Sequence, residues 1–216
     1  MKKLLLSGVL AMAFVGAEAG PKDGEIPGYT YGDKAVQTAP FTLADLENLK
    51  KSLLLTDDDL QWLRKSREIL EPQAEEILDT WYGFVGSQPH LLYYFHNRAG
   101  KPDGDYLARV RARFKVWITD TANANYDQRW LDYQYEIGRR HHRVAKNRTD
   151  DATGPDHIPM SHVIALTVPV TSTLKPFLEK GPYSAAEVDA MQAAWLKSVL
   201  LQTILWSHPY VKAGDF

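Results

Sequence analysis

The sequence predicts a single all-α domain of about seven or eight helices. Apolar residues recur every three or four positions along most of the chain, which is the period of a helix with one buried face. Capping residues stand where such segments begin, most clearly Ser184 with Glu187 three positions later. The 216 residues, 44% apolar and 24% charged, are enough for one domain with an adequate core.

The formal net charge of -2 argues against several partners. The chain lacks the basic excess that nucleic acid or an anionic membrane surface would require, so neither is expected to bind. The absence of cysteine excludes a disulfide framework and a cysteine-ligated iron–sulfur cluster.

The first 19 residues have the layout of a secretory signal peptide. Lys2 and Lys3 precede an apolar run over residues 4–17, and Ala17-Glu18-Ala19 is a small-x-small cleavage pattern. The run is too short to span a bilayer, and we expect no membrane span in the mature chain. We therefore expect export to the periplasm or the medium if the segment is cleaved, and a cytoplasmic protein if it is not. One folded domain is expected over residues 20–216.

The elements follow in order from local signals. Residues 20–41 contain four glycines, three prolines and no helical period, which predicts an irregular arm. Thr42 with Asp45, and Thr56 before three aspartates, predict two helix starts. Residues 73–86 predict a half-buried aromatic helix, residues 89–95 a short aromatic turn, and residues 107–118 another amphipathic helix.

Two later segments are less simple. A helix is predicted from near Tyr126 to about Val144, followed by a polar stretch. Residues 162–174 suit a buried strand or a helix, and Pro169 would end the first or kink the second. From Val199 onward the last helix is apolar nearly all round, so it must be covered on several sides, one of which could be a second subunit.

Histidine spacing limits the chemistry that the chain can perform. No HExxH motif and no histidine pair at i, i+4 occurs, and hydrolase and nucleotide-binding motifs are missing too. His141 and His142 are adjacent in a predicted helix and point about 100° apart, so only one could serve a given metal. His141 has the more apolar neighbours, and Gly138, one turn below, would let something flat approach the backbone.

A single protein ligand makes chemical sense mainly for haem, because the porphyrin supplies four nitrogens. The alternative is an ordinary hydrogen-bonded histidine. A haem pocket also needs a large apolar lining, and each aromatic residue that could supply it could equally be an ordinary core residue. The candidates are Trp81, Tyr82, Phe84, Phe95, Phe114 and Trp117.

Five segments together resemble the protoglobins, single-domain relatives of the globin domain of globin-coupled sensors. They are IPGYTYG at 26–32, EEILDTWYGFVGS at 75–87, PHLLYYF at 89–95, YDQRWLDYQYEIGRRHH at 126–142 and WSHPYVKAGDF at 206–216. The resemblance implies a three-over-three globin fold with an additional N-terminal helix, non-covalent haem b, reversible binding of O2, CO and NO, and a homodimer through the last two helices.

The resemblance also assigns residues to the site. It places the proximal iron ligand on His141 and the arm at 26–31 over the haem, so that gas would enter between helices. It implies that Trp81, Tyr82, Phe114, Leu166 and Val170 form the distal wall and that Val110 faces the bound gas. With the aromatic, proximal and propionate candidates, the expected cofactor-binding residues are Trp81, Tyr82, Phe95, Val110, Arg113, Phe114, Trp117, Ile137, Leu166 and Val170. Arg113 is the candidate for a haem propionate, with a solvated basic face as the alternative reading.

Three functions compete at this point. The first is a gas-binding haem protein for sensing, carriage or scavenging, in which the Tyr82 hydroxyl supplies the hydrogen bond to O2, because residues 103–121 contain no histidine or glutamine. The second is a haem enzyme that removes NO, nitrite or peroxide, as an NO dioxygenase or a peroxidase-like catalyst. The third is a structural helical dimer without a cofactor.

Overall fold

The computed structural model describes residues 26–216, and the predicted signal peptide lies outside this range. The described part contains nine α-helices and no strand, which confirms the all-α prediction. The helices are α1 Leu43–Ser52, α2 Asp57–Leu70, α3 Ala74–Gly86, α4 Pro89–Leu92, α5 Gly104–Asn123, α6 Gln128–His141, α7 Met160–Ala165, α8 Thr167–Leu178 and α9 Ala185–Ser207. Short 3-10 turns follow α2, α4 and α9, at Glu71–Gln73, Tyr93–Phe95 and His208–Tyr210.

The predicted helix starts are confirmed as capping boxes. In each, a hydroxyl accepts from the backbone N–H three residues later, and the acidic side chain there accepts from the cap backbone; the pairs are Thr42 with Asp45, Thr56 with Asp59, and Ser184 with Glu187. These bonds satisfy N–H groups that the first turn leaves free, so the boundaries can be read from sequence alone.

The ambiguous segment is helical, and the strand reading is wrong. It divides at Leu166 into α7 and α8, which is one reason why the helix count exceeds the predicted seven or eight. Pro169 is the third residue of α8, where its missing N–H costs no intrahelical bond. Val163, Thr167 and Thr171 are buried where these helices pack on the rest of the domain, and α8 contacts both α3 and α9, which outweighs the local preference of β-branched residues for strands.

The last helix, α9, is central to the packing. It contacts α2, α6 and α8, and Trp195, Leu201 and Leu205 are completely buried. Gln202 joins this core to α5, because its side-chain oxygen accepts from Trp117 Nε1 at 2.6 Å. None of the described helices is long and apolar enough to cross a membrane.

A second, smaller cluster lies between α3, α4, α5 and α8. Trp81, Val85 and Leu91 are buried there, and partly buried aromatics from α5 and the turn after α4 pack on them. This cluster forms one wall of the cavity described below.

The arm is irregular over its described part, as predicted, and it is bound to the helices. Arg113 Nη1 donates to Pro27 O at 2.7 Å, and Arg140 Nη1 donates to Gly28 O at 2.6 Å. Tyr29 donates to Asp120 Oδ2 at 2.8 Å. The arm is thereby fixed across α5 and α6.

Candidate functional site

One cavity is lined by every cofactor-binding and iron-ligating residue predicted from the sequence, whereas Phe84, a candidate for its apolar lining, lies outside it and is exposed. Its volume is about 250 Å³, and its lining is mainly apolar. The predicted residues on its wall are Trp81, Tyr82, Phe95, Val110, Arg113, Phe114, Trp117, Ile137, His141, Leu166 and Val170. These residues come from segments far apart in the chain, as is usual for a ligand-binding pocket. Their contact with a cofactor stays a prediction.

His141 is the last residue of α6, and its ring is oriented by its own helix. Nδ1 lies 2.8 Å from the carbonyl oxygen of Ile137, one turn earlier. A carbonyl can only accept, so Nδ1 carries the hydrogen and Nε2 keeps a lone pair. Burial lowers the pKa of His141, and the nearby charge of Lys146 lowers it further, while the hydrogen bond to Ile137 raises it. Because the pKa is lowered on balance, the imidazole is neutral at neutral pH.

A tryptophan from the end of α9 covers one face of this imidazole. The rings of His141 and Trp206 are 5.2 Å apart between centroids and inclined by 17°, which is a stacked arrangement. Trp206 Nε1 donates to Gln134 Oε1 at 2.9 Å, so the indole is itself held by α6. The ring plane of His141 is therefore set by a hydrogen bond and by stacking.

Gly138 allows this close contact between α6 and α9. A methyl group at Gly138 would lie 2.7 Å from Trp206 Cα and 2.9 Å from Trp206 O. Gly138 does admit a close neighbour to its backbone, as expected. That neighbour is the backbone of α9 and not a flat group, so this part of the expectation is wrong.

His142 lies outside the cavity lining. Its backbone is extended, with ψ of 156°, so the helix ends before it and not near Val144. Its ring packs edge-on against His157 and Tyr210, at 5.1 Å and 4.9 Å between centroids. The two adjacent histidines thus face different surroundings.

The wall formed by α3 and α5 is aromatic. Trp81 meets Phe114 edge-on at 5.8 Å, and Tyr82 meets Phe95 and Phe114 edge-on at 6.1 and 6.4 Å. Burial raises the pKa of Tyr82 well above its ordinary value, so the phenol keeps its proton and can donate a hydrogen bond into the cavity.

The polar edge of the cavity carries an ion-pair cluster. The side chain of Asp150 is 3% exposed, and it accepts from Arg113 Nη1 at 2.9 Å and from Nη2 at 2.6 Å. Arg109 Nε lies 3.2 Å from Oδ1, the oxygen that accepts from Arg113 Nη1. Arg113 is 12% exposed, so the solvated-face reading does not describe it. Its observed partners are Asp150 and the arm, and contact with a cofactor carboxylate stays a prediction.

Sequence reasoning missed several wall residues. Trp206 was inside a recognised motif, but nothing local indicated that it would stack on His141. Lys146 and Asp150 lie in a polar stretch with the composition of a solvated loop, yet Lys146 is 2% exposed. Tyr94, Tyr106 and Tyr133 also line the cavity.

The donor set suits a cofactor that brings its own metal ligands. Within residues 26–216, no group of three or more His, Cys, Asp or Glu side chains is placed to hold a metal ion. One neutral imidazole beside an apolar cavity, with cations at the edge, has the composition expected of a pocket for haem and its two carboxylates.

Comparison with known proteins agrees with this geometry. The family model described as Protoglobin matches residues 42–216, which leaves the arm motif at 26–32 outside the match. The globin domain of a Geobacter sulfurreducens globin-coupled sensor superposes with a TM-score of 0.60 at 16% identity, covering 77% of this chain and 97% of that one. No curated protein sequence matched. The solved structure establishes a globin-like fold, and the family model establishes the relationship: the chain belongs to the protoglobin family.

Proposed function

We propose that this protoglobin binds haem b non-covalently through His141 and reversibly binds O2, CO and NO, in gas sensing, carriage or scavenging. The observation that carries the proposal is the state of His141. Its Nδ1 hydrogen is committed to Ile137 O, and the ring lines an apolar cavity with Nε2 free to coordinate.

Each wall has a role in this proposal. The haem iron, when bound, supplies the coordination position for a diatomic gas. Trp81, Phe114 and Val110 exclude water from that side, and Leu166 and Val170 extend the apolar wall. In this proposal Tyr82, which lines the same cavity, donates its phenol hydrogen to bound O2, whose outer oxygen carries partial negative charge.

The test is reconstitution of the purified full chain with haem. We expect a Soret band, shifted by CO and by NO, and O2 binding that is reversed by removing O2. Failure to develop a Soret band would contradict the proposal. Sustained NO consumption with an electron donor would instead support the haem enzyme that removes NO.

We further propose a homodimer through α8 and α9. Two large apolar side chains on these helices support it, because Val168 is 64% exposed and Leu196 is 39% exposed. Sedimentation should give a dimer for the wild type and a monomer for Leu196→Glu. A monomeric wild type would contradict this proposal without affecting the haem proposal.

We also propose that residues 1–19 are removed on export. The support is the sequence pattern alone, and the N-terminal mass of the native protein is the test. A mature chain that begins at Met1 would contradict it.

A further inference from the structure

Lys146 is a buried cation at the edge of the cavity. It follows α6 in an irregular turn, five residues after His141, and it is 2% exposed. Its Nζ lies 3.2 Å from Tyr94 O and 3.4 Å from Asn147 Oδ1, and 5.0 Å from the centroid of the Tyr106 ring. All three neighbours are neutral, so they solvate the ammonium without balancing its charge.

No carboxylate of the described residues lies within 4.0 Å of Lys146 Nζ. Asp150, on the same cavity wall, is already paired with Arg113 and Arg109. Burial lowers the pKa of Lys146 to about 8, while Asp156 and Asp150 oppose this from longer range. An ammonium buried without a counter-ion is unfavourable, so this position favours an anionic partner from outside the chain.

The position of Lys146 limits what that partner can be. Lys146 and His141 line the same cavity, so a ligand that fills it can touch both. Arg113, Asp150, Arg109 and Lys146 together carry a net charge of +2 at this edge. Haem b carries two carboxylates, which match that charge.

We infer that Lys146 binds a propionate carboxylate of the haem, while Arg113 remains paired with Asp150 and holds the arm through Pro27. This inference rests on the proposed function, because it concerns how the same cavity holds its cofactor. A charge-assisted hydrogen bond in such a dry position is stronger than one at the surface. Lys146 therefore sets the orientation of the porphyrin edge, and Arg113 positions Asp150 and the arm.

The experiment compares haem with its dimethyl ester, which keeps the ring and the iron but lacks carboxylate charge. The apo full chain is titrated with each porphyrin, and the Soret band reports affinity. We expect Lys146→Met to lower haem affinity about tenfold or more and to leave ester affinity unchanged. Lys146→Arg should keep the preference for haem over the ester.

Two further variants serve as controls. Lys115→Met removes a lysine of α5 that is 49% exposed and pairs with Glu75, and it should change neither affinity. Arg113→Met removes a cation from the same edge without removing the proposed carboxylate contact, so its selective loss of haem affinity should be smaller than that of Lys146→Met. Apo Lys146→Met should melt at or above the wild-type temperature, because it removes an uncompensated buried charge. If that variant does not fold, Lys146→Gln takes its place with the same expected loss.

The outcomes are distinguishable. Equal losses for haem and ester with Lys146→Met, or no loss at all, would overturn the inference. A selective loss with Arg113→Met as large as that with Lys146→Met, or larger, would assign the carboxylate to Arg113 and would also overturn the inference. If the wild type binds neither porphyrin, the proposed function itself fails, and the inference fails with it.

Discussion

Replacing Gly138 by alanine should push α6 and α9 apart where His141 meets Trp206. The added methyl group would lie 2.7 Å from Trp206 Cα and 2.9 Å from Trp206 O, closer than carbon atoms approach without strain. Both contacts are backbone atoms within a helix, so no side-chain rotation relieves them. Overpacking of this kind costs about 1–3 kcal/mol, and the upper half of that range applies because a helix must move.

Part of this cost is offset, since alanine is favoured over glycine inside a helix by about 1 kcal/mol. The free energy of unfolding should therefore fall by about 1–2 kcal/mol, and the melting temperature by about 2–8 °C for a domain of this size. Urea denaturation and a thermal melt of the apo protein measure both.

Gly83→Ala is the matched control for this substitution. Gly83 is also helical, in α3, and nothing lies within 4 Å of the position of its added methyl group. It should raise the free energy of unfolding by about 0.4–1 kcal/mol. If Gly138→Ala proved as stable as Gly83→Ala, the close packing of α6 on α9 would be refuted.

Two further predictions concern ligand release and acid stability. Tyr82→Phe should speed O2 dissociation about fivefold to tenfold, because it loses a hydrogen bond worth about 1–1.4 kcal/mol, and should change CO dissociation little. Flash photolysis or stopped-flow mixing measures both rates. An unchanged O2 rate would remove Tyr82 from the mechanism. Burial alone would raise the pKa of Asp59, but the bond from Lys197 at 2.7 Å and the Thr56 cap hold it below its ordinary value. A depressed carboxyl pKa contributes stability above the unfolded value of about 3.9, and this is lost as pH falls through the folded value. Asp59→Asn should therefore lower the free energy of unfolding by about 1 kcal/mol at neutral pH and by almost nothing near pH 2, as measured by urea denaturation. An equal loss at both pH values would contradict a lowered pKa for Asp59.

The parts of the fold that the sequence predicted depend on local interactions. Thr56 and Asp59 form a capping box from residues three apart, so four letters of sequence specify that helix start. The α7–α8 segment could not be assigned in this way, because its β-branched residues suit both periods and the choice is made by packing against α9.

The site shows the same division between local and distant causes. The hydrogen bond from His141 to Ile137 O joins residues one turn apart, and it follows from the helix that the spacing predicts. The burial of Lys146 depends on Tyr94 and Tyr106, which come from two other segments. No local pattern separates such a lysine from its solvated neighbours, so this part of the site required the structure.

The central claim is that His141, and not His142, holds a haem iron. The direct measurement is the absorption spectrum of His141→Ala and His142→Ala after haem reconstitution, with imidazole added afterwards. We expect His141→Ala to lose the spectrum of the histidine-ligated iron and to regain it with imidazole, while His142→Ala matches the wild type. Loss of axial ligation in His142→Ala, with a normal spectrum for His141→Ala, would contradict this account.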